Sequence, residues 1–205
     1  NGSMDLCKKM IQLAHLAGCD FVKLQKRNPV QCVPITQQQL LKETPWGTIT
    51  YLEYKEHIEF SSTQIKELYD YATEIGIQLF ASVWDIDSVD VMASFTTIGK
   101  IPSALITNLD LCRYARERFK TLIVSTGMST EQEVCACIDA CHPDVILHTN
   151  STYPCPVQDI NLNYIHWLRQ QYPNTEIGYS GHEFGLVTTF LSLGLGATWV
   201  ERHVT

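Results

Sequence analysis

The sequence predicts an α/β protein of the TIM (β/α)8-barrel type that lacks the first strand and the final helix of such a barrel. Short apolar runs typical of strands alternate with helix-patterned segments, about seven of each, at the spacing of an eightfold α/β barrel. The chain also begins with a helix and ends on a strand, which leaves one element missing at each end. An open doubly wound sheet is the alternative, because the same alternation produces both architectures.

Length and composition predict one incomplete catalytic barrel domain over residues 1–205. The 205 residues are 45% apolar, which is enough for a sizeable core. No apolar run approaches the ~20 residues of a membrane span, and the polar start over residues 1–5 is not a signal peptide. The net charge of −7 comes without a basic block, which argues against nucleic acid. We therefore expect a cytoplasmic protein with no membrane or nucleic-acid partner.

The first elements are a helix and a strand. Apolar residues recur at helical spacing over residues 4–17, and Gly18 ends the helix. Residues 21–25 form a strand that carries Lys23 and Gln25 at alternate positions, so that both point to one face. A lysine in a barrel interior is costly without a partner, which favours a functional role for Lys23 over a side chain that reaches the rim.

A long connection follows, and then a regular series of elements. Residues 26–60 contain three prolines and are too long for an idle connector. Residues 44–47 within them form either a lid over a site or a passive surface loop. The later elements are predicted as helices over 63–75, 85–95, the segment after 108, 130–141, 159–172 and 186–195, and as strands or apolar runs over 78–83, 101–107, 121–126, 145–150, 177–180 and 198–204.

Two helix starts are marked by capping residues. Asn108 or Asp110 caps the helix after the apolar run 101–107. Ser129 or Thr130 caps the helix that ends at Cys141, and an acidic residue stands in its first turn. These short polar side chains accept hydrogen bonds from backbone N–H groups that have no partner within the helix.

The eight cysteines predict reduced thiols and not a disulfide framework. They are scattered through strand-like and helix-like segments instead of being crowded into a small loop-rich chain. Cys135, Cys137 and Cys141 with His142 look like a metal cluster, but a CxxC pair is missing and the segment is helical. Ordinary packed cysteines are therefore favoured over a zinc site.

Polar residues end almost every predicted strand, where barrel enzymes carry their reactive groups. Small hydroxyls and two lysines around two histidines suit an anionic phosphate beside a metal-bound oxygen. The dipeptide Ser125-Thr126 is equally explained by turn chemistry, and His148 equally by a satisfied core histidine. The strand ends are Lys23 and Gln25; Ser82 and Asp85; Lys100 and Ser103; Ser125 and Thr126; His148, Asn150 and Ser151; Ser180 and His182; Glu201 and His203.

His182 and His203 form the best candidate pair for a metal. Each lies beside a carboxylate, and one helical segment separates them. If the flanking segments are neighbouring parallel strands, the crossover returns the chain to the same edge of the sheet. Both imidazoles would then face one pocket, as a divalent metal site requires. The other histidines, His15, His57, His142 and His166, lie on predicted helices or loops and are interpreted as structural or solvated.

Five ordered motifs resemble the sialic acid synthase family, also called N-acetylneuraminate synthases. They are IGYSGHE at 177–183, VERHVT at 200–205, STGMS at 125–129, VKLQ at 22–25 and STYP at 151–154. The resemblance implies a barrel transferase that forms a C–C bond between phosphoenolpyruvate and N-acetylmannosamine, its 6-phosphate or a related acetamido sugar. The products would be phosphate and a nine-carbon 2-keto acid of the sialic acid type.

The resemblance also implies roles for individual residues. A divalent ion, typically manganese with magnesium or cobalt as alternatives, would be held by His182 and His203. Glu201 matches a conserved acid of the family that lies between them in space, and the catalytic set would be completed by Lys23 and Lys100. Contacts to phosphoenolpyruvate would come from Lys23, Lys100, Ser103, Ser125, Ser151 and Ser180, and contacts to the sugar from Gln25 and Tyr153.

The chain departs from the family pattern at several positions. Leu105, Pro102 and Val83 stand where the family commonly has glutamate, glycine and threonine. The first family strand, with its catalytic glutamate, and the C-terminal antifreeze-like domain, which reaches over the partner subunit's site, are both absent from the 205 residues. We expect a homodimer for the complete protein, and we expect the isolated segment to be poorly active and prone to aggregate because its barrel edges are unpaired.

Two other functions are compatible with the sequence. One is a phosphoenolpyruvate-dependent aldol synthase of the same barrel type that acts on a different sugar. The other is a non-catalytic homologue that binds a sugar or a metal, which the missing glutamate strand suggests.

Overall fold

Strands alternate with helices through most of the chain, as the apolar pattern predicts. The structure is a computed structural model that describes residues 2–204, and the chain divides after Thr96 into two compact units. Among the described residues, no helix is long and apolar enough to cross a membrane.

The first unit is built around one pair of parallel strands. Its first helix is capped by the hydroxyl of Ser3, which accepts from the Leu6 N–H. β1 and β4 pair in register, with Lys23 opposite Phe80 and Gln25 opposite Ser82. The elements of this unit are α1 Met4–Leu16, β1 Phe21–Lys26, α2 Pro29–Cys32, α3 Ile35–Gln38, β2 Leu41–Thr44, β3 Gly47–Thr50, α4 Tyr51–Ile58, α5 Ser62–Ile75, β4 Gln78–Val83 and α6 Ile86–Ala93.

The long connection over residues 26–60 has regular structure of its own, which the sequence prediction missed. β2 and β3 form an antiparallel hairpin, and α4 follows with a capping box between Thr50 and Glu53. At the hairpin turn the ring of Trp46 stacks on His57, with ring centres 4.9 Å apart and planes within 12°. The 44–47 segment therefore packs on α4, while a lid function for it stays a prediction.

The second unit is a five-stranded parallel sheet in which each strand lies beside the next one along the chain, in the order β5-β6-β7-β8-β9. Helices link the strands, as parallel pairing requires. Asn108 caps α7 and Thr130 caps α8 through a capping box with Glu133. The elements are β5 Ile98–Ile101, α7 Leu109–Arg118, β6 Thr121–Ser125, α8 Glu131–Cys141, β7 Val145–Thr149, α9 Asn163–Gln171, β8 Glu176–Ser180, α10 Val187–Gly194 and β9 Trp199–Glu201.

Three predicted boundaries in this unit were wrong. The strand placed at 101–107 lies at Ile98–Ile101, because Pro102 has no N–H to continue the ladder. The helix placed at 159–172 begins at Asn163, after a 3-10 turn over Val157–Asp159. β9 ends at Glu201, so His203 lies beyond the strand and not within it.

Register determines which side chains share a face of the five-stranded sheet. Residues opposite each other in a parallel ladder, and residues two apart along one strand, point to the same side. Ser180 is opposite both Thr149 and Glu201, and the same rule followed through the ladders brings Ser125 and Lys100 to that face. One face of the sheet therefore carries Lys100, Ser125, Ser180 and Glu201 near the carboxyl ends of the strands.

Candidate functional site

A buried ion pair lies at the centre of this polar face. The Lys100 ammonium donates to both carboxylate oxygens of Glu201, at 2.7 and 2.8 Å. The side chains are only 4% and 17% exposed, and the Ser180 hydroxyl donates to the same carboxylate at 3.1 Å. The sequence analysis counted Lys100 among the strand ends. In the structure it lies within β5 and is buried.

The two candidate metal ligands lie side by side. The rings of His182 and His203 have centres 5.2 Å apart and planes inclined by 82°. A metal bound about 2.0–2.1 Å from an imidazole nitrogen lies about 3.2 Å from the ring centre, so two rings on one ion have centres about 4.5–5.5 Å apart. The observed separation fits two ligands of a single ion.

The protonation of His182 also suits a ligand. Its Nδ1 lies 2.7 Å from the backbone oxygen of Asn150. A carbonyl oxygen only accepts hydrogen bonds, so Nδ1 carries a proton, and in the neutral ring the lone pair is on Nε2. Metal-binding histidines are typically oriented by a hydrogen bond of this kind. The sequence had no signal for it, because any residue supplies a backbone oxygen.

The Tyr153 ring contacts the imidazole rings of both histidines. Its ring centre is 5.3 Å from that of His182 and 5.0 Å from that of His203. The residue is 59% exposed, so it is accessible from solvent. A ligand bound at the histidines would meet this aromatic ring.

A second ion pair, between Arg202 and Glu183, is formed by the residues next to the two histidines in sequence. Arg202 donates to the carboxylate of Glu183, which also accepts from Tyr179 at 2.7 Å and from Thr188. Burial acts to raise the pKa of Glu183, but the hydrogen bonds from Thr188 and Tyr179 and the charge of Arg202 outweigh it and lower the pKa below its usual value. The sequence analysis assigned no role to this pair, although each member is adjacent to one of the histidines.

Three serines complete the polar face. The hydroxyls of Ser103 and Ser151 are 2.9 Å apart and bond to each other. The Ser125 hydroxyl is buried and has no hydrogen-bond partner among residues 2–204. A buried hydroxyl without a partner costs free energy unless a ligand or water satisfies it, so Ser125 fits a ligand contact better than simple turn chemistry. Gly127 packs against Ser151, because a Cβ at position 127 would clash with the Ser151 hydroxyl.

The remaining candidates belong to the first unit and are described separately. Lys23 is half-buried on β1, and Gln25 is exposed and accepts from the guanidinium of Arg27. Ser82 is buried on β4. Asp85 is the N-cap of α6, where it accepts from the N–H and the hydroxyl of Ser88 at 2.7 and 2.8 Å. Its role in the structure is therefore that of a cap.

His148 points to the opposite face of the sheet. Its Nε2 donates to the backbone oxygen of Ile160 at 2.6 Å, and its ring lies against Tyr164. Burial lowers the pKa of His148 below its usual value. Nδ1 is buried and has no hydrogen-bond partner among residues 2–204. The structure therefore places His148 in the core with a neutral ring, but only one of its two nitrogens is satisfied.

The cysteine cluster differs in membership from the one that the sequence suggested. Cys135 accepts from the hydroxyl of Tyr172 at 3.3 Å, and His142 is an exposed left-handed residue at the end of α8. The sulfurs of Cys137 and Cys141 instead meet Cys112 of α7, and all three lie within 4.8 Å of one another.

This buried trio has the packing of ordinary thiols. Thiolates on one ion at about 2.3 Å have sulfurs about 3.8–4.0 Å apart, and the observed separations of 3.7 and 4.0 Å are similar. However, Cys141 donates to the Cys137 carbonyl at 3.1 Å, and Cys112 approaches two carbonyl oxygens at 3.8 Å. Donation to carbonyls requires protonated thiols, so we interpret the trio as packed cysteines.

A cavity of about 370 Å³ opens beside the site, between the loops that follow β6 and β7. Ser151, whose hydroxyl bonds that of Ser103, belongs to its wall, and so do His148 and Tyr164. The wall combines polar residues with apolar ones and includes Thr126, Ser129, Glu131, Asn150, Asp159 and Asn161 as well as Met128, Val134 and Ile160.

Comparison with known sequences gives one consistent result. A sequence profile of the NeuB family matches residues 10–205. The N-acetylneuraminate-9-phosphate synthase of Drosophila melanogaster is 34% identical over 212 residues, covering 100% of this chain and 57% of the relative. The N,N'-diacetyllegionaminic acid synthase of Legionella pneumophila is 30% identical over 217 residues, covering 100% of this chain and 61% of the relative. The chain thus spans about three-fifths of the length of these curated relatives.

A solved structure shows the same fold. The N-acetylneuraminic acid synthetase of Leptospira borgpetersenii, crystallised in complex with citrate, superposes with a TM-score of 0.89 at 25% identity, covering 100% of this chain and 69% of that protein. The structural neighbours are TIM-barrel-like α/β enzymes, so the predicted fold class is confirmed.

Proposed function

The chain belongs to the NeuB family, and from this premise we propose that the protein condenses phosphoenolpyruvate with an acetamido sugar to form a sialic-acid-type nonulosonate, with release of phosphate. The observation that carries the proposal is the pairing of His182 and His203, 5.2 Å apart, beside the buried cation of Lys100 and the buried hydroxyl of Ser125. A metal-ligand pair and an anion-binding group are the two features that this reaction needs.

Lys100 and the serines form the proposed subsite for the anion. An ammonium has three donors, and two of them are directed at Glu201. Glu201 therefore favours the charged form of Lys100 in a buried position, where the ammonium attracts the carboxylate or phosphate of phosphoenolpyruvate. Ser125, Ser151 and Ser180 add hydroxyls on the same face, and Lys23 and Gln25 stay predictions that rest on the family resemblance.

The histidines fit a divalent cation. Nε2 of His182 carries the lone pair because Nδ1 donates to Asn150, and neutral imidazole is a ligand for manganese, cobalt and related ions. When bound, such a cation supplies Lewis acidity toward the aldehyde oxygen of an open-chain sugar. Manganese is the ion that we propose, and magnesium or cobalt are the alternatives.

The chain's own residues would then orient the two substrates. Tyr153 lies against both imidazoles and offers a face to the sugar. The anion contacts hold phosphoenolpyruvate so that its C3 forms the new bond to the aldehyde carbon. Water adds at C2, and the C–O bond to phosphate breaks, so that one phosphate is released for each C–C bond formed. Lys100 stabilises the negative charge of the anion throughout.

The sugar has two candidate classes. Two relatives have similar sequence identity to this chain: the N-acetylneuraminate-9-phosphate synthase, at 34%, and the N,N'-diacetyllegionaminic acid synthase, at 30%. N-acetylmannosamine or its 6-phosphate is the first candidate, and a differently substituted acetamido sugar is the second. Departures at Leu105, Pro102 and Val83 from the common family residues give no preference between them.

The assembly and location are also proposals. We propose a homodimer for the full-length protein, by analogy with the family. All eight cysteines are free thiols in the structure, which supports a reducing, cytoplasmic location.

A substrate panel tests this function. The full-length protein is incubated with phosphoenolpyruvate and Mn²⁺ together with N-acetylmannosamine, its 6-phosphate, other acetamido sugars, or C5 to C7 sugars that lack the acetamido group. We expect equal amounts of phosphate and a nonulosonate product with one acetamido sugar only. Turnover with a sugar lacking that group would favour another aldol synthase, and sugar binding without turnover would favour a non-catalytic homologue.

A further inference from the structure

Each histidine of the site is adjacent in sequence to one member of a buried ion pair. Glu183 follows His182, and Arg202 precedes His203. The two histidines are on separate segments, one after β8 and one after β9. A contact between Glu183 and Arg202 is therefore also a contact between the two segments that carry the histidines.

The ion pair is strongly connected on the Glu183 side. The Glu183 side chain is 1% exposed, and its carboxylate accepts from Arg202, Thr188 and the hydroxyl of Tyr179. Tyr179 is in β8 and Thr188 is in α10. The carboxylate thus joins the strand before His182, the helix after it and the segment of His203.

Arg202 makes contacts that a simple charge would not make. One nitrogen of its guanidinium donates to the backbone oxygens of Glu183 and Gly185 at 2.7 and 3.0 Å, while another bonds the Glu183 carboxylate. The guanidinium therefore holds the backbone of residues 183–185 as well as the side chain. A planar fork with several donors is needed for this, and lysine lacks it.

The strand ladder alone does not extend to the second histidine. The Gly181 N–H donates to the Glu201 backbone oxygen at 3.2 Å, and within residues 2–204 the strand β9 ends at Glu201. Beyond that point the Arg202 contacts join the segments. The two segments approach closely, because a Cβ at Gly181 would clash with the guanidinium of Arg202.

We propose that Glu183 and Arg202 are positioning residues that set the separation of the His182 and His203 imidazoles and thereby the affinity of the site for a divalent cation. This inference rests on the proposed function, in which the two histidines hold the ion. In this proposal Glu183 acts through His182 and Arg202 acts through His203.

The test compares Arg202→Lys with a matched control, Arg116→Lys. Both arginine side chains are 26% exposed and pair with one carboxylate, and both also donate to backbone oxygens, since Arg116 bonds those of His142, Phe119 and Lys120. Arg116 lies on α7, away from the histidines. A loss that reflects general destabilisation should appear in both variants.

Binding of Mn²⁺ to the full-length protein is measured by the electron paramagnetic resonance signal of the unbound ion, and folding is checked by circular dichroism. We expect Arg202→Lys to weaken binding by about 10–100-fold, the range typical when the groups that orient a ligand are removed. Arg116→Lys should bind as wild type does. Turnover of Arg202→Lys should recover at high Mn²⁺, which a variant that is merely unstable would not show.

The outcomes separate this inference from the proposed function. Equal Mn²⁺ affinity in wild type and Arg202→Lys would overturn the positioning role while leaving the metal site intact. No binding in wild type would overturn both the metal site and the positioning role. If Arg202→Lys does not fold, Glu183→Gln, which keeps the shape of the side chain and loses its charge, is measured in the same way and must also weaken binding.

Discussion

Lys100 and Glu201 are 101 positions apart in the sequence, yet the ammonium of one lies within 2.8 Å of both carboxylate oxygens of the other. The contact joins β5 to β9 across the polar face of the second unit. A buried charge of this kind is stabilised by its partner and is costly to leave alone. The pair therefore explains how a lysine can be held charged in the interior, where an anionic substrate is proposed to bind.

Replacement of Lys100 by glutamine should mainly weaken the interaction with phosphoenolpyruvate. A hydrogen bond to a charged group contributes about 1.5–3 kcal/mol, which corresponds to a decrease of about 10–100-fold in kcat/KM. Steady-state kinetics with varied phosphoenolpyruvate checks this, and we expect the increase in KM to exceed the decrease in kcat. The exposed Lys66→Gln is the control and should behave as wild type does, while unchanged KM in Lys100→Gln would remove Lys100 from the anion subsite.

Ser125→Ala separates a binding hydroxyl from a structural one. Because the Ser125 hydroxyl has no partner among the described residues, its removal should leave the melting temperature unchanged or slightly higher. Loss of one contact of about 0.5–1.5 kcal/mol should raise KM for phosphoenolpyruvate by about 2–10-fold.

The matched control for Ser125→Ala is Ser192→Ala. Ser192 is fully buried and donates to the Thr189 backbone oxygen at 2.7 Å, so its loss should lower the melting temperature without changing KM. The interpretation of Ser125 would be contradicted by the reverse result, a less stable Ser125→Ala protein with normal KM.

The burial of His148 should make the free energy of unfolding depend on pH. Burial lowers the pKa of His148 in the folded state, while the unfolded chain keeps a value of about 6.5. The unfolded state therefore binds the proton first as pH falls, so the contribution of His148 to stability is complete above about pH 6.5 and is lost progressively below it.

Urea unfolding at a series of pH values measures this contribution. Below about pH 6.5 the free energy of unfolding of wild type should fall by up to about 1.4 kcal/mol per pH unit because of this one proton. His148→Gln should show a flatter dependence, whereas His166→Gln, at an exposed position, should follow wild type. Parallel curves for wild type and His148→Gln would show that His148 is not held neutral by burial.

Local signals predicted much of the fold. The caps at Asn108 and Thr130 are where the sequence placed them, because capping depends on residues three positions apart. The strand that begins at Thr121 was also predicted correctly, because an uninterrupted apolar run indicates a strand that is buried on both faces. The end of β5 before Pro102 could have been predicted, because proline has no N–H for the ladder. The end of β9 at Glu201 could not, because pairing with the neighbouring strand decides it.

The sequence suggested which residues lie near the strand ends but could not predict their contacts. Sequence order suggested that His182 and His203 are close, because a crossover connection returns the chain to one edge of the sheet. The bond from His182 to the Asn150 oxygen and the pairing of Lys100 with Glu201 depend on register between distant segments. His148 shows the same limit, since only the register reveals that it points to the face opposite the polar residues.

The central claim is that His182 and His203 hold the divalent cation on which synthesis depends, and phosphate release by His203→Ala tests it most directly. The full-length protein is assayed with phosphoenolpyruvate and the acetamido sugar, with Mn²⁺ added after treatment with a chelator. We predict that wild type and the control His166→Ala regain phosphate release on addition of Mn²⁺ and that His203→Ala does not. Undiminished release by His203→Ala would contradict the claim.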